Sequence, residues 1–446
     1  MAHSTGTGRM HPTRREMLQF GVAAGAAALL APASAWTAAP AVGKKVSLVY
    51  WTTLDHKDQK NPRSRAEFEM VELFRKKYPN IEIVPQTVPW QTMDKQILQA
   101  AAAGKAPAVA VTSTQGVPLL APAGVLMNLD EYVGKNWSKE EKEDFLLPRA
   151  NTVYDGKNYG YYWNSVLNNL FLFRKDLLEA KKLPLPRGWE EMGETCKALT
   201  DGRVAGYVMG LSREGNAVNI TNWLIGALWS AGADWLDDKG LVAFNNDSGA
   251  KPFQWLYDMV HKYKATPEGI VAMNQQAQLD GLKAGTTAST SLSSNQIGGA
   301  RSGATGKQLG IVPAPGITPD RPQPAFTTGK FIVMTKDCKE REAAALFIEA
   351  MLSPEAQVIN ARIASELPSR ASTLKDPWFN TPEAADMKMM VQFMQRAPRK
   401  FQYHPKNNVL GDLMAGGFQA IVAKRASVKD ALSDIAKQWE AELKNA

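Results

Sequence analysis

Tryptophans beside amide or hydroxyl residues form the most conspicuous chemical pattern in this sequence. The chain has 12 tryptophans, and several have such a neighbour: Trp51 before Thr52, Trp90 before Gln91, Trp163 before Asn164, and Trp223 after Asn222. A flat ring stacks on the C–H face of a sugar, and an amide both donates to and accepts from hydroxyl groups. These pairs indicate a site for a ligand with apolar faces and hydroxylated edges. The alternative for each ring is a place in the core, where tryptophan is usually found.

Patterns of common catalytic and metal sites are missing from the sequence. It contains neither the H-E-x-x-H motif of zinc hydrolases nor the G-x-S-x-G elbow of serine hydrolases. The stretch ending at Lys307 resembles a phosphate-binding loop, but Arg301 and Gln308 stand where glycine and serine or threonine are required. Two cysteines exclude a four-thiolate zinc site. We therefore predict a protein that is not an enzyme and that has no cofactor or metal.

The composition is that of a globular protein with more than one domain. A chain of 446 residues is too long for a single ordinary core, and 44% hydrophobic with 22% charged residues argues against wholesale disorder. The net charge of +8 comes from basic residues that are scattered and not interleaved with aromatics. This distribution gives no support to a nucleic-acid partner.

The first residues have the pattern of an export signal. Arg14 and Arg15 precede a charge-free apolar stretch over residues 17–43, and Ala33-Ser34-Ala35 offers the small residues that a signal peptidase reads. The paired arginines resemble a twin-arginine (Tat) signal. We predict a signal peptide over 1–35, cleavage after Ala35 and a periplasmic location; the alternative is a membrane anchor.

The remaining chain alternates predicted strands and helices. The patterns predict strands at residues 45–51, 81–84, 108–111, 286–292 and 331–334, and helices at residues 68–78, 93–103, 175–181, 340–351 and 427–443. Such alternation is typical of an α/β fold with a largely parallel sheet. Residues 298–310 are rich in glycine and serine and predict a loop. Cys196 and Cys338 are predicted to be free buried thiols, although an oxidising compartment would permit a disulfide.

Short motifs in a fixed order resemble those of a known family. They are FRKKYPNI at 74–81, AAGKAP at 102–107, AGVL at 123–126 with LD at 129–130, YDGKNYG at 154–160, FLFRKDLL at 171–178, GWEE at 188–191, PAPG at 313–316, SPEAQ at 353–357 and LPSR at 367–370. Together they resemble the extracellular solute-binding proteins of ABC transporters, family 1, which includes maltose-binding protein. Ala108 departs from the pattern, because an aspartate is usual there, and Trp163 stands where proline is common.

This resemblance implies a two-lobed α/β fold of the periplasmic binding protein type II, with a ligand cleft between the lobes. Each lobe is expected to contain a mixed, mostly parallel sheet flanked by helices. The expected first lobe comprises residues 36–163 and 329–365, and the second comprises 164–328 and 366–446. Closure of the lobes around a solute would present the complex to a membrane permease. The resemblance also implies a monomer.

The family pattern places the candidate ligand-binding residues in the turns and crossings that border the cleft. They are Trp51, Thr53, Asp55, His56, Thr112, Ser113, Gln115, Trp163, Asn164, Asn219, Asn222, Trp223, Ser293, Asn295, Gly329, Lys330 and Arg370. Sugar binders of the family often have a stacking aromatic where Asn295 stands here. Alternative roles remain for three of these residues: Asp55 and His56 as solvated turn residues, and Arg370 as a tie between the lobes.

The predicted ligand is a mono- or oligosaccharide that stacks on Trp51 and Trp163. The amides of Asn164, Asn222, Gln115 and Asn295 would then bind its hydroxyl groups. An anionic organic acid or sugar phosphate is a second possibility, with Lys330, Arg370 and His56 as its partners. A polyamine is a further alternative. A secreted carbohydrate-active enzyme is the alternative from another class, and it would require two carboxylates that face one cleft.

Overall fold

A computed structural model of the chain describes residues 44–147, 152–213, 218–396, 401, 404 and 406–444. The predicted signal peptide over 1–35 lies outside these residues. The strands are β1 (Val46–Thr52), β2 (Ile81–Thr87), β3 (Val109–Ser113), β4 (Val153–Tyr154), β5 (Lys157–Asn158), β6 (Tyr161–Leu167), β7 (Leu170–Arg174), β8 (Ser289–Leu292), β9 (Leu309–Pro313) and β10 (Thr327–Met334). Within the described ranges, every helix is too short or too polar to cross a lipid bilayer.

The helices include the five that were predicted, although the first begins at Pro62 instead of residue 68, and several further long helices were not predicted. The helices are α1 (Pro62–Lys77), α2 (Met93–Ala102), α3 (Gly116–Leu120), α4 (Lys139–Glu143), α5 (Lys175–Ala180), α6 (Trp189–Leu199), α7 (Val218–Ala231), α8 (Asp247–His261), α9 (Gln275–Ala284), α10 (Ile297–Arg301), α11 (Arg341–Met351), α12 (Pro354–Ala364), α13 (Ala385–Arg396), α14 (Asn407–Val422) and α15 (Val428–Lys444). The loop predicted for residues 298–310 is wrong in part, because α10 and the start of β9 lie there.

The larger sheet has five strands in the order β2-β1-β3-β10-β6. Strands β1, β2 and β3 are parallel, whereas β10 is antiparallel to both β3 and β6. The sheet is therefore mixed, and its parallel part is the predicted strand-helix alternation. Because β6 runs in the same direction as β1 and β3, the carboxyl ends of all three lie at one edge of the sheet. The start of β10 lies at that same edge.

The smaller sheet has three strands in the order β8-β7-β9. Both pairings with β7 are antiparallel. Parallel bridges from Ala205 to Thr287 and from Val208 to Thr290 add the segment that follows α6 to this sheet. Parallel pairing in this sheet is thus confined to those bridges.

The chain passes from the larger sheet to the smaller one at Asn168 and Asn169. Asn169 has a φ of 61°, a left-handed conformation that asparagine tolerates better than most residues. The backbone N–H of Asn168 donates to the carbonyl of Phe326 at 2.8 Å, and its side chain donates to Thr328 at 3.1 Å. Phe326 and Thr328 belong to the return passage into β10, so the two passages are hydrogen-bonded to each other. Strand β6 pairs within the larger sheet as far as Leu167. The residue limits of the two lobes stay a prediction.

Strand β10 shows how the core is divided between the two faces of the larger sheet. Its alternate residues Ile332 and Met334 join a buried cluster with α1 and α11, and Phe331 and Val333 join the cluster on the other face. The second of these clusters continues to the smaller sheet. All four side chains are fully buried. Because successive side chains of a strand point to opposite faces, the continuous apolar run from Phe331 to Met334 fills the core on both sides of the sheet.

Candidate ligand-binding site

The ammonium group of Lys330 lies at the edge of the larger sheet where β1, β3 and β6 end. Lys330 is 7% exposed, and its Nζ donates to Thr53 Oγ1 at 3.2 Å. The same nitrogen lies 5.5 Å from the ring centre of Trp163 and 5.7 Å from that of Trp90. The backbone N–H of Lys330 donates to Asn164 Oδ1 at 3.1 Å. We call Thr53, Trp90, Trp163, Asn164 and Lys330 the lysine cluster.

Burial changes the acid–base behaviour of this lysine. Removal of the ammonium from water is the main cause that lowers the pKa of Lys330 to about 7, and the nearby Arg63 guanidinium is the second. Glu366 and Glu67 act in the opposite direction and are the weaker influences. The two tryptophan rings favour the charged form because each presents the negative face of its π system to a cation. Lys330 can therefore gain or lose a proton near neutral pH.

Two buried carboxylates lie beside the lysine cluster, and each has its own partner. Glu366 is 2% exposed, forms an ion pair with Arg63 at 2.6 Å, and accepts a hydrogen bond from Asn164 Nδ2 at 3.0 Å. Glu67 is fully buried in α1 and lies 3.0 Å from His56 Nε2. The sequence did not lead us to Arg63, Glu67 or Glu366, because charged residues of a helix start or a loop look like solvated surface until the fold buries them.

The end of β3 carries a second group of polar side chains. Asp94, in α2, accepts hydrogen bonds from the hydroxyl groups of Thr112 and Ser113, the latter at 2.6 Å. Ser113 is the neighbour of Lys330 across the β3–β10 pair, and Gln115 follows with its backbone N–H bound to Ser113 Oγ. The structure thus brings Thr112, Ser113 and Gln115 to the predicted edge. Asp94 is an additional residue that the sequence reading missed.

Two tryptophans at this edge have rings that solvent can reach. Trp51 ends β1 half-buried, and its indole Nε1 donates to Gln86 Oε1 at 2.8 Å. Trp90 begins a short 3-10 helix after β2 and is 41% exposed. Trp163 is different, because it is 1% exposed and Lys330 lies over its ring. Stacking on a sugar face is therefore available to Trp51 and Trp90, and not to Trp163 as positioned here. The sequence pattern had singled out Trp90 without placing it in the site.

The candidates from the second predicted lobe lie on separate elements. Ser293 follows β8 and donates from Oγ to Asn168 Oδ1 at 2.5 Å, which links it to the crossing between the sheets. Asn295 is half-buried in the 3-10 helix Ser294–Gln296. Asn222 is half-buried in α7, and Asn219 belongs to the same helix with its side chain outside the described residues. Their part in ligand binding stays a prediction.

Trp223 belongs to the aromatic core beside the smaller sheet. It is 3% exposed and stacks with Trp255 at 5.4 Å between ring centres and with Trp189 at 6.4 Å. The turn predicted around Asn222 is a helix, so Trp223 and Asn222 lie at different angles around its axis. We therefore correct the sequence reading: Trp223 packs in the core and has no exposed face for a ligand.

The guanidinium of Arg370 is also engaged in contacts within the protein. It lies over the adjoining rings of Trp137 and Phe145, 4.4 Å from the centre of each. Nε donates to the carbonyl of Leu352 at 2.8 Å, and Nη1 donates to that of Glu141 at 2.9 Å. These contacts correct the ligand-binding reading: the residue joins the α4 region to the segment that follows α12.

Three further candidates have local roles in the structure. Gly329 is buried where β10 has a bulge, and a Cβ there would lie 2.2 Å from the carbonyl oxygen of Asn164. Glycine therefore allows β6 and β10 to approach. Asp55 is exposed and accepts from the backbone N–H of Lys57 at 2.9 Å, as in a solvated turn. His56 is bound to Glu67, so the expectation of a solvated turn residue does not hold for it.

Both cysteines are buried and free, as predicted. Burial raises the pKa of Cys196 to about 12 and that of Cys338 to about 11. Within the described parts of the chain, no three His, Cys, Asp or Glu side chains come together as metal ligands do.

Comparisons with known proteins agree with this architecture. The GacH receptor of Streptomyces glaucescens, solved unliganded and with acarbose, superposes with a TM-score of 0.74 at 21% identity, covering 90% of this chain and 99% of that one. Maltose-bound MalE3 of T. maritima gives 0.74 at 22% identity, with 89% and 99% covered. UgpB of Mycobacterium tuberculosis with glycerophosphocholine gives 0.73 at 19% identity, with 90% and 98% covered. No curated protein sequence matches the chain.

These superpositions confirm the predicted fold, the two-lobed α/β architecture of type II periplasmic binding proteins. Residues 69–387 match the family described as bacterial extracellular solute-binding protein. That span covers most of the chain, including both sheets from β2 to β10. The protein therefore belongs to the bacterial extracellular solute-binding proteins.

Proposed function

We propose that this protein captures a carbohydrate between its two lobes and delivers it to the permease of an ABC importer. The observation that carries the proposal is the polar sheet edge bordered by the rings of Trp51 and Trp90. Stacking rings beside amide and hydroxyl groups match the faces and edges of a sugar. Several structural neighbours are described with bound sugars, including maltose and acarbose, which supports the same class of ligand.

Export and partners complete the proposal. The leader with Arg14 and Arg15 would direct the folded protein to the periplasm by the twin-arginine route, with cleavage after Ala35. The mature protein would act as a monomer. Closure of the lobes on the sugar would create the surface that the permease binds.

Two other functions are kept as alternatives. A secreted carbohydrate-active enzyme would need two carboxylates facing one cleft. Glu366 and Glu67 are such a pair of residues, but each is bound to a neighbouring side chain of the protein. A binding protein for an anionic solute or a polyamine is the second alternative. The buried ammonium of Lys330 at the same edge disfavours a polyamine because like charges repel.

Calorimetry with a ligand panel tests the proposal. The purified protein is titrated with neutral mono- and oligosaccharides, uronic acids, sugar phosphates, organic acids and polyamines, and thermal unfolding is measured for each ligand. We expect saturable binding of at least one carbohydrate and a higher melting temperature. Binding of organic acids or polyamines without any carbohydrate would contradict the proposal. Product formation from an oligosaccharide would favour the enzyme.

A further inference from the structure

The ammonium of Lys330 has fewer partners than its burial demands. An ammonium has three N–H donors, and burying a charge is costly unless it is paired. Within the described residues, the hydrogen bond to Thr53 is the one recorded for Nζ, and no carboxylate lies within ion-pair distance. The rings of Trp90 and Trp163 supply only a partial substitute through cation–π contact.

The indole of Trp163 provides a second, independent observation. Its Nε1 is buried and has no hydrogen-bond partner within the described part of the chain. A buried donor without an acceptor costs about 1–3 kcal/mol, so native structures rarely contain one. Lys330 and Trp163 are thus in cation–π contact with each other, and each keeps donor capacity that the described residues leave unused. Both would be satisfied by an acceptor that arrives with the ligand.

The charges around Lys330 decide what kind of acceptor fits. Three charged groups act on it: Arg63 and Glu67 from α1, and Glu366 from the segment after α12. His56, from the turn after β1, is the partner of Glu67. Each carboxylate is already bound, Glu366 to Arg63 and Glu67 to His56. A neutral hydroxyl would leave the ammonium without a counter-charge, whereas an anionic oxygen would pair with it.

Access to this place runs past Trp90. The ring of Trp90 is 41% exposed and lies 5.7 Å from Lys330 Nζ, so the ammonium is directly behind a solvent-exposed rim. A sugar ring stacked on Trp90 would bring a substituent of that ring within reach of Lys330.

We propose that the lysine cluster is a subsite for an anionic group of the ligand, and that the solute is an acidic carbohydrate carrying a carboxylate or a phosphate. This inference rests on the proposed function, since it concerns the same site. Lys330 would pair with the anionic oxygen, and Trp163 Nε1 would donate to it. Trp90 would stack on the sugar ring.

Matched ligand pairs test the proposal by calorimetry. Each neutral sugar is compared with its uronic acid and with its phosphate ester, at pH 6 and at pH 8.5. We expect one acidic member to bind at least tenfold more tightly than its neutral partner at pH 6. Binding should weaken at pH 8.5, where Lys330 is largely neutral in the free protein. Titrations near pH 7.5 in buffers of different ionisation enthalpy should show proton uptake. Comparison of the uronic acids with the phosphate esters identifies which anionic group the site binds.

Variants separate the subsite from the rest of the site. Lys330→Met should reduce the affinity for the acidic sugar at least tenfold and that for the neutral partner less than threefold. Trp163→Phe should reduce the affinity for the acidic sugar about threefold to tenfold while keeping the ring. Lys336→Met is the control, because Lys336 is exposed just after β10. If Lys330→Met does not fold, Trp163→Phe tests the anionic subsite in its place.

The outcomes distinguish this inference from the proposed function. If neutral sugars bind as tightly as their acidic partners, or if Lys330→Met weakens both equally, the anionic subsite is wrong and carbohydrate binding stands. If no carbohydrate of either kind binds, both proposals fail. Absence of proton uptake on binding of an acidic sugar would also overturn the role given to Lys330.

Discussion

Arg63 Nε lies 2.6 Å from Glu366 Oε1, and this ion pair joins the start of α1 to the segment that follows α12. Glu366 is almost fully buried, while Arg63 is partly exposed, so the carboxylate depends on the guanidinium for its charge compensation. Asn164 supplies the other hydrogen bond to Glu366, from β6. Three segments that are distant in sequence thus meet at one carboxylate beside the lysine cluster.

Removal of Arg63 should destabilise the protein more than removal of an exposed lysine. Arg63→Met leaves the Glu366 carboxylate buried with a single donor, and we expect the free energy of unfolding to fall by about 2–3 kcal/mol. Urea denaturation followed by tryptophan fluorescence measures this. Lys44→Met is the control, because Lys44 pairs with Glu340 in solvent and should change stability by less than about 0.5 kcal/mol. Equal effects of the two changes would contradict the buried role of the pair.

Two tryptophans should respond oppositely to substitution. Trp90→Ala removes an exposed ring, so we expect ligand affinity to fall about tenfold, or about 1.4 kcal/mol, with little change in melting temperature. Trp223→Ala removes a ring from the aromatic core and should cost about 3–5 kcal/mol of stability. Calorimetry measures the ligand affinity of both variants, and thermal unfolding measures their stability. Tyr154→Ala, at another exposed ring, is the control for the loss of surface apolar area.

Gly329→Ala should weaken the pairing of β6 with β10. The added Cβ would lie 2.2 Å from the carbonyl oxygen of Asn164, so the strands must separate, and we expect a loss of about 1–3 kcal/mol. Gly202→Ala is the matched control because a Cβ there meets nothing within 4 Å. Denaturant titration of both variants checks the difference. If Gly329→Ala keeps wild-type stability, the close approach is not required.

The stability of the unliganded protein should depend on pH through Lys330. Burial holds its pKa near 7 in the folded state, whereas an unfolded lysine titrates near 10.5. Between these values the unfolded chain binds more protons, so this residue makes the free energy of unfolding rise as pH increases from about 7 to 10.5. Below pH 7 its destabilising effect is complete. Lys330→Met should therefore be more stable than the wild type at pH 6, with the difference disappearing near pH 10.

Denaturant titrations across this pH range provide the measurement, with Lys336→Met as the control. A constant difference between wild type and Lys330→Met at every pH would show that burial does not perturb the lysine.

Neither cysteine should react with thiol reagents while the protein is folded. Burial raises the pKa of Cys196 to about 12 and that of Cys338 to about 11, so the reactive thiolate is scarce near pH 8. Ellman's reagent should detect both thiols after denaturation in guanidinium chloride and neither within minutes before it. Rapid modification of the native protein would contradict the burial of these side chains.

Much of the fold followed from local patterns in the sequence. Alternation of apolar residues predicted β2, and a short β-rich run predicted β1. The three- and four-residue spacing of apolar residues predicted α15 near its observed bounds and most of α1. Such periodicity reports which side of an element is buried, and it needs no long-range information. The order of the short motifs then indicated the family correctly.

The site was harder to predict because neighbours in sequence do not decide exposure. Trp223 and Trp90 both stand beside amide residues, yet one is in the core and the other at the rim. Arg370 looked available for a ligand, but its position over the rings of Trp137 and Phe145 depends on packing of distant segments. The lysine cluster combines residues from β6, from β10 and from the turns after β1 and β2. No local pattern could place these side chains together.

The position of β10 in the larger sheet has a consequence for the order of synthesis. This strand lies between β3 and β6, yet it is made after the whole of the smaller sheet. A nascent chain that has left the ribosome only as far as residue 326 lacks the strand that joins β3 to β6. The larger sheet must therefore close late, through contacts of long sequence separation, which form slowly because of their entropy cost. The smaller sheet has all its strands by then, but the core beside it still lacks α14 and α15, so the packing of both sheets is completed only by the last part of the chain to be made.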